Sequence, residues 1–287
     1  MRIGRLHSSG VVVALALSFG LTASAPAQDS GAFPGWNLEY RLPAGWFVRQ
    51  TAGRVHVLGS QGGPGAIFVA PGLYEHADDV LPDLDAFYRL ARISARPTEA
   101  RTDTTLAGLP AVLATLSGQS EHGRPVSTRV AAVFSPYGTG IVVLGVAAPG
   151  AFPKMKSTVE SLAATVAARP ADVRDDAARE LKGLWLRFRD GQPPNPERQQ
   201  DEMRSIEETI EFAEGGRFVW KSSIFLGAEA RGQADDPTTT AGESERGIYR
   251  VIGGFLVLKG QQGQRVYPFT RSDGRLSLDG ATYYRRD

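Results

Sequence analysis

Seven side chains in the last third of the chain have the types and spacing to enclose a ligand: Glu208, Trp220, Tyr249, Phe255, Tyr267, Phe269 and Tyr283. Glu208 stands between Ile206 and Ile210, on the face of an alternating run that should point inward. A carboxylate so placed must be paired, hydrogen-bonded or protonated. Its partner is either an inward arginine, Arg265 or Arg285, or the polar end of a bound molecule. The six aromatic residues, with Phe218, either line a pocket or fill the same space with their own rings.

Other chemistries find no support in the spacing. His56, His76 and His122 lie outside the first residues, and none has HxH or HExxH spacing. Glu75, His76 and Asp78 fall within a few residues of one another, but a polar loop capping the helix that follows explains them, so no metal site is expected. No G-x-S-x-G occurs, and Gly62-Gly-Pro-Gly65 lacks the Gly-Lys-Ser/Thr of a phosphate loop. Glu207 and Glu211 alternate away from Glu208 into solvent, so no two carboxylates face one substrate as a glycosidase requires. The reading is of a protein without catalytic residues and without a cofactor.

The chain has 287 residues, 42% of them hydrophobic, enough for one or two domains with cores of their own. Arg2, Arg5 and His7 precede an apolar run, Val11–Leu21, that ends at Ala25-Pro26-Ala27. That pattern predicts a signal peptide over residues 1–27, cut after Ala27, and a periplasmic or secreted protein. The run is too short to span about 30 Å of hydrocarbon, and no other stretch is long enough, so no transmembrane segment is expected in the mature chain. The formal charge is +1, and loss of Arg2 and Arg5 brings it to −1. Such a balance, without basic clusters, argues against nucleic acid and anionic membrane as partners. With no cysteine, disulfides and a Cys-linked lipid anchor are both ruled out. Arginine far outnumbers lysine, as in proteins of GC-rich bacteria.

The elements that must position these residues fall into two groups. Over 35–169, alternating runs at Trp36–Pro43, Trp46–Gln50 and Arg54–Leu58 lead to a continuous apolar run, Ala66–Ala70, the mark of an interior strand. Val80, Leu84, Phe87, Tyr88 and Ala91 then fall at helical spacing. Strands follow at Ala111–Ser117, Val126–Phe134 and Gly140–Ala147. A closing helix carries Met155, Val159, Leu162, Ala163 and Val166 on one stripe. Strands around two helices make an α+β domain. The order LPAGW, hairpin, helix, LAGLPAVLATLSG, AAVFSPYGTGIVVLGVA and final helix resembles the PsbP-like superfamily. That resemblance implies a twisted antiparallel sheet and a protein that binds other proteins.

Residues 170–180, polar and charged, read as a linker, and 181–287 as a second domain. Strands are expected at Leu181–Arg189, Arg204–Phe212 and Arg217–Leu226, followed by a five-stranded meander. The meander runs through Ile248–Ile252, Phe255–Lys259, Arg265–Thr270, Leu276–Leu278 and Thr282–Arg285, with Gly or Asp-Gly turns between. Eight strands suit a small up-and-down barrel. The first and third connections are long while the second, fourth and sixth are tight, so one end is closed and the other carries two flaps. Gly183-Leu-Trp185 and Arg285 resemble the Gly-x-Trp and terminal Arg of lipocalin-like calycins. The resemblance implies that Trp185 and Arg285 pack together at the closed end and that the barrel can hold a small hydrophobic ligand. A secreted non-enzymatic binder of a hydrophobic small molecule, lipid or envelope partner is therefore expected. The other reading is a structural adaptor with a solid barrel, acting through protein contacts of the first domain.

Overall fold

The computed structural model describes residues 30–63, 65–190, 204–226 and 239–286. The expected signal peptide and its cleavage after Ala27 lie outside them, as do residues 191–203 and 227–238 of the two long loops.

The first half is built on an antiparallel sheet. A short hairpin, β1 (Ser30–Phe33) and β2 (Leu38–Arg41), comes first. β3 (Trp46–Ala52), β4 (Val55–Ser60) and β5 (Gly65–Gly72) lead to helix α1 (Leu81–Ala91). Then come β6 (Ile93–Pro97), β7 (Thr102–Leu106), β8 (Leu109–Ser120), β9 (Pro125–Phe134) and β10 (Gly140–Ala147). Helix α2 (Phe152–Ala163) and the two-residue β11 (Ala167–Ala168) close the unit. The large sheet has the order β3-β4-β5-β10-β9-β8-β6, with β7 also on β8, while β1, β2 and β11 form a small sheet of their own. β5, β9 and β10 are apolar at successive positions because both faces are covered. Phe68, Ala70, Val142 and Leu144 face α1 through Leu84 and Phe87. Ile67, Val69, Ile141 and Val143 face α2 through Met155, Val159 and Leu162.

The second half is a closed antiparallel barrel of eight strands. They are β12 (Gly183–Asp190), β13 (Arg204–Ala213), β14 (Arg217–Leu226), β15 (Thr239–Ile252), β16 (Phe255–Gly260), β17 (Gly263–Ser272), β18 (Arg275–Leu278) and β19 (Ala281–Arg286). β19 pairs with β12 and shuts the cylinder. The α+β class and the eight-stranded meander stand as the sequence predicts.

β1, β6 and β7 are strands the sequence reading did not mark, and three features around the second half differ from it. The stretch 170–180 carries a helix, α3 (Asp175–Leu181), whose last residue is fully buried in the barrel's lower core. The segment before it is bonded on both sides: Asp172 N–H donates to Gly35 O, Gly253 N–H to Asp172 O, and Arg174 N–H to Val251 O. β15 begins at Thr239, well before Ile248, and its first half pairs with β14 but not with β16.

The barrel also shares a core with the first half. Ile252 and Val257, both fully buried, lie in one cluster with Trp36, Leu38, Ile141 and Leu162, and Val266 packs against it. The backbones come so close that a Cβ on Gly35 would stand 3.0 Å from Gly253 Cα. Only glycine, already at positive φ there, allows that approach.

Candidate functional site

Strand alternation decides which side chains enter the barrel, and their position along the strands divides the interior into two storeys. The lower one is solid. Trp185, Phe212, Phe218, Tyr249, Val251, Leu256 and Leu276 are all buried in a single cluster, with Leu181 of α3 beneath them. Trp185 Nε1–H donates to Leu181 O at 2.6 Å, which satisfies the one polar atom of a buried indole. The Arg285 guanidinium lies 5.9 Å from the centre of the Trp185 ring and donates to Lys182 O at 2.9 Å.

The upper storey is hollow. A cavity of about 510 Å3 opens beside the Asp279-Gly280 turn, lined by Ile210, Trp220, Leu258, Tyr267, Leu278 and Tyr283 together with Arg187, Glu208 and Arg265. Two ion pairs of the same make stand at it, the second lining it through Arg265 alone. Glu208 accepts from Tyr283 Oη–H at 2.9 Å and from Arg187 at 3.4 Å, and the Arg187 guanidinium sits 5.8 Å over the Tyr283 ring. Glu245, with its side chain 6% exposed, is paired with Arg265, whose guanidinium lies 4.8 Å over the Trp220 ring. Each cation is thus neutralised by one carboxylate and stacked on one aromatic face, which is how guanidinium tolerates partial burial. Burial, reinforced by the negative charge of Glu208, raises the Tyr283 phenol above its ordinary pKa; burial also raises Tyr267. Both phenols are therefore protonated at neutral pH.

No family model and no curated protein matches this chain. Similar solved structures exist. The solution structure of cyanobacterial PsbP (CyanoP) from Synechocystis sp. PCC 6803 is matched by the N-terminal half at 15% identity, covering 52% of this chain and 99% of that one, TM-score 0.34. A crystal structure from Bacteroides thetaiotaomicron VPI-5482 is 11% identical over 55% of this chain and 52% of its own, TM-score 0.36, so the present chain spans about half of that protein. A protein of unknown function from Pseudomonas aeruginosa is 15% identical over 46% of this chain and 92% of that one, TM-score 0.31.

Of the seven residues singled out from sequence, Glu208, Trp220, Tyr267 and Tyr283 meet in the cavity. Tyr249 lies below it, edge-on to Phe212 at 4.7 Å, with its hydroxyl donating to Ala178 O. Phe269 packs on the lower core. Phe255 has the parity of Val257 and not of Leu256 and Leu258, so it leaves the interior at the β15–β16 turn. The partner of Glu208 is neither Arg265 nor Arg285 but Arg187, which faces it directly across β12 and β13. Arg187 and Glu245 were missed, although a period of two from Trp185 and Tyr249 places both inside. Asp79 takes the capping role in the Glu75–Asp79 loop, accepting from Glu75 N–H and His76 N–H. Among the described residues no group of three His, Asp or Glu gathers as a metal site, and no helix is long and apolar enough to cross a membrane.

Proposed function

We propose that the chain is an exported, non-enzymatic binding protein whose barrel mouth holds one small amphipathic molecule. The observation that carries this is the cavity above a solid floor, whose volume of about 510 Å3 falls within the roughly 300–1,000 Å3 of small-molecule sites. Trp220, Leu258, Ile210 and Leu278 offer the apolar wall, and the Arg187–Glu208 and Arg265–Glu245 pairs with two phenols offer the polar one. The ligand is therefore less hydrophobic than the barrel class alone implies. Binding is favoured over turnover because each carboxylate is already engaged by a guanidinium, which leaves neither poised as a base. Export rests on the basic, apolar, Ala-x-Ala pattern of residues 1–27.

The test is native mass spectrometry of protein taken from the extracytoplasmic fraction of its host, joined to a titration with 1-anilinonaphthalene-8-sulfonate. A co-purifying small molecule and saturable one-to-one dye binding are expected. Trp220→Ala should weaken the dye by about two- to tenfold, given roughly 0.5–1.5 kcal/mol for one aromatic contact. A ligand-free protein whose dye binding ignores Trp220→Ala would leave the adaptor role instead.

A further inference from the structure

The wall of the cavity and the surface on which the first half docks are two faces of one hairpin. In β16 and β17, Leu258, Arg265 and Tyr267 point into the cavity, whereas Val257 and Val266 point outward into the core built by the first half. The tip of the hairpin is fixed by polar groups. Asp83, near the start of α1, is 2% exposed. Its carboxylate accepts from Gln264 N–H at 2.7 Å, Gln264 Nε2–H at 2.6 Å and Tyr74 Oη–H at 2.6 Å, with Arg54 at 3.3 Å. Gln264 Oε1 in turn accepts from Leu73 N–H at 3.0 Å. On the paired strand, Lys259 reaches Asp79 at 2.7 Å.

From the barrel side the same tip is held by the cavity's own charge. Gln262 N–H donates to Glu245 at 3.3 Å, and Glu245 holds Arg265. Gln264 and Arg265 are consecutive on a strand, so their side chains leave on opposite faces. A buried carboxylate that loses donors is costly, so Asp83 fixes the backbone at Gln264 firmly. Whatever fixes that backbone also fixes where Arg265 stands over Trp220.

We propose that Asp83 is a positioning residue of the barrel cavity: through Gln264 it sets the Arg265–Glu245–Trp220 side of the mouth. Docking of the first half and occupancy of the cavity are then linked, and by reciprocity a molecule that needs Arg265 in place tightens the docking in return. The inference deepens the binding reading of the mouth and rests on it.

The experiment uses the full chain labelled with 5-fluorotryptophan and needs no ligand. Trp185 and Trp220 sit in the same barrel, one at the floor and one at the mouth, and their fluorine resonances are assigned by single Trp→Phe variants. Asp83→Asn, and the milder Gln264→Ala should the first fail to fold, are expected to shift or broaden the Trp220 line and leave Trp185 unmoved. In an Arg265→Gln background the same changes should no longer move Trp220. A lowered melting temperature with Trp220 unmoved in both variants would overturn the proposal, since Asp83 would then be structural only. Dye titration of the same samples separates the two readings. A several-fold loss of affinity in Asp83→Asn, within the usual range of coupling between sites, supports both. A moved Trp220 line in a protein that never binds the dye keeps the positioning role and removes the binding one.

Discussion

Arg285 and Arg286 are neighbours in sequence with unequal surroundings. The first lies over the Trp185 indole and bonds Lys182 O, whereas the second points to the other side of β19. Because Arg285 is solvent-exposed, its stacking belongs at the low end of cation–π energies, roughly 0.5–1 kcal/mol. Arg285→Ala is expected to cost about that much in urea denaturation, and Arg286→Ala close to nothing. Equal losses would show that the indole contact contributes no stability. This pair was legible in the sequence because it needs only strand count and the parity of β12 and β19. The partner of Glu208 was not. Choosing Arg187 over Arg265 or Arg285 requires the register of β12 against β13, and a long loop between two strands does not set a register.

Among the elements, the small sheet shares a buried core with the large one, and one histidine adds a polar and stacking contact between them. Phe33 of β1 stacks on His56 of β4 at 4.2 Å, and Tyr40 of β2 makes a 2.8 Å hydrogen bond with His56 Nδ1. Burial lowers the His56 pKa below its ordinary value of 6.5. The unfolded chain therefore takes up the proton first, so stability is full above about pH 6.5 and is lost as pH falls toward the folded-state value. Melting curves from about pH 7.5 to 5 should show this slope in the wild type and a shallower one in His56→Gln; parallel curves would dismiss the role. β1, β6, β7 and α3 escaped the sequence reading for a common reason. Each is short, and β6, β7 and α3 are mainly polar, with too few apolar side chains to establish a period: β7 is Thr-Asp-Thr-Thr-Leu, and α3 commits only Ala177, Ala178 and Leu181 to the core. The long apolar strands, by contrast, were plain.

For the whole molecule the decisive feature is the core that crosses from one half to the other. Val257 and Ile252 are fully buried among residues of β2, β10 and α2. Removing two methyls from Val257 should cost roughly 1–3 kcal/mol. In Val257→Ala, near-ultraviolet and far-ultraviolet circular dichroism should melt together at a lower temperature, as one transition. Two separated transitions would show that the halves unfold independently. A trace of this docking was present in the sequence. Phe255-Leu-Val-Leu258 is apolar without alternation, and a barrel strand of that kind must be covered on its outer face as well. What covers it is a matter of tertiary contact across well over a hundred residues, beyond the reach of any local pattern.

The closing of β19 onto β12 also bears on how the chain comes into being. As the polypeptide emerges during synthesis, the first half appears early but lacks Ile252, Val257 and Val266 to cover its inner face. The barrel in turn keeps β12 with a bare edge until the last of its eight strands arrives. Contacts so distant in sequence form slowly and late. The inner face of the first half stays uncovered until residues 252–266 have emerged, and the barrel stays open until β19 follows them, so the growing polypeptide passes most of its synthesis as an unfinished object.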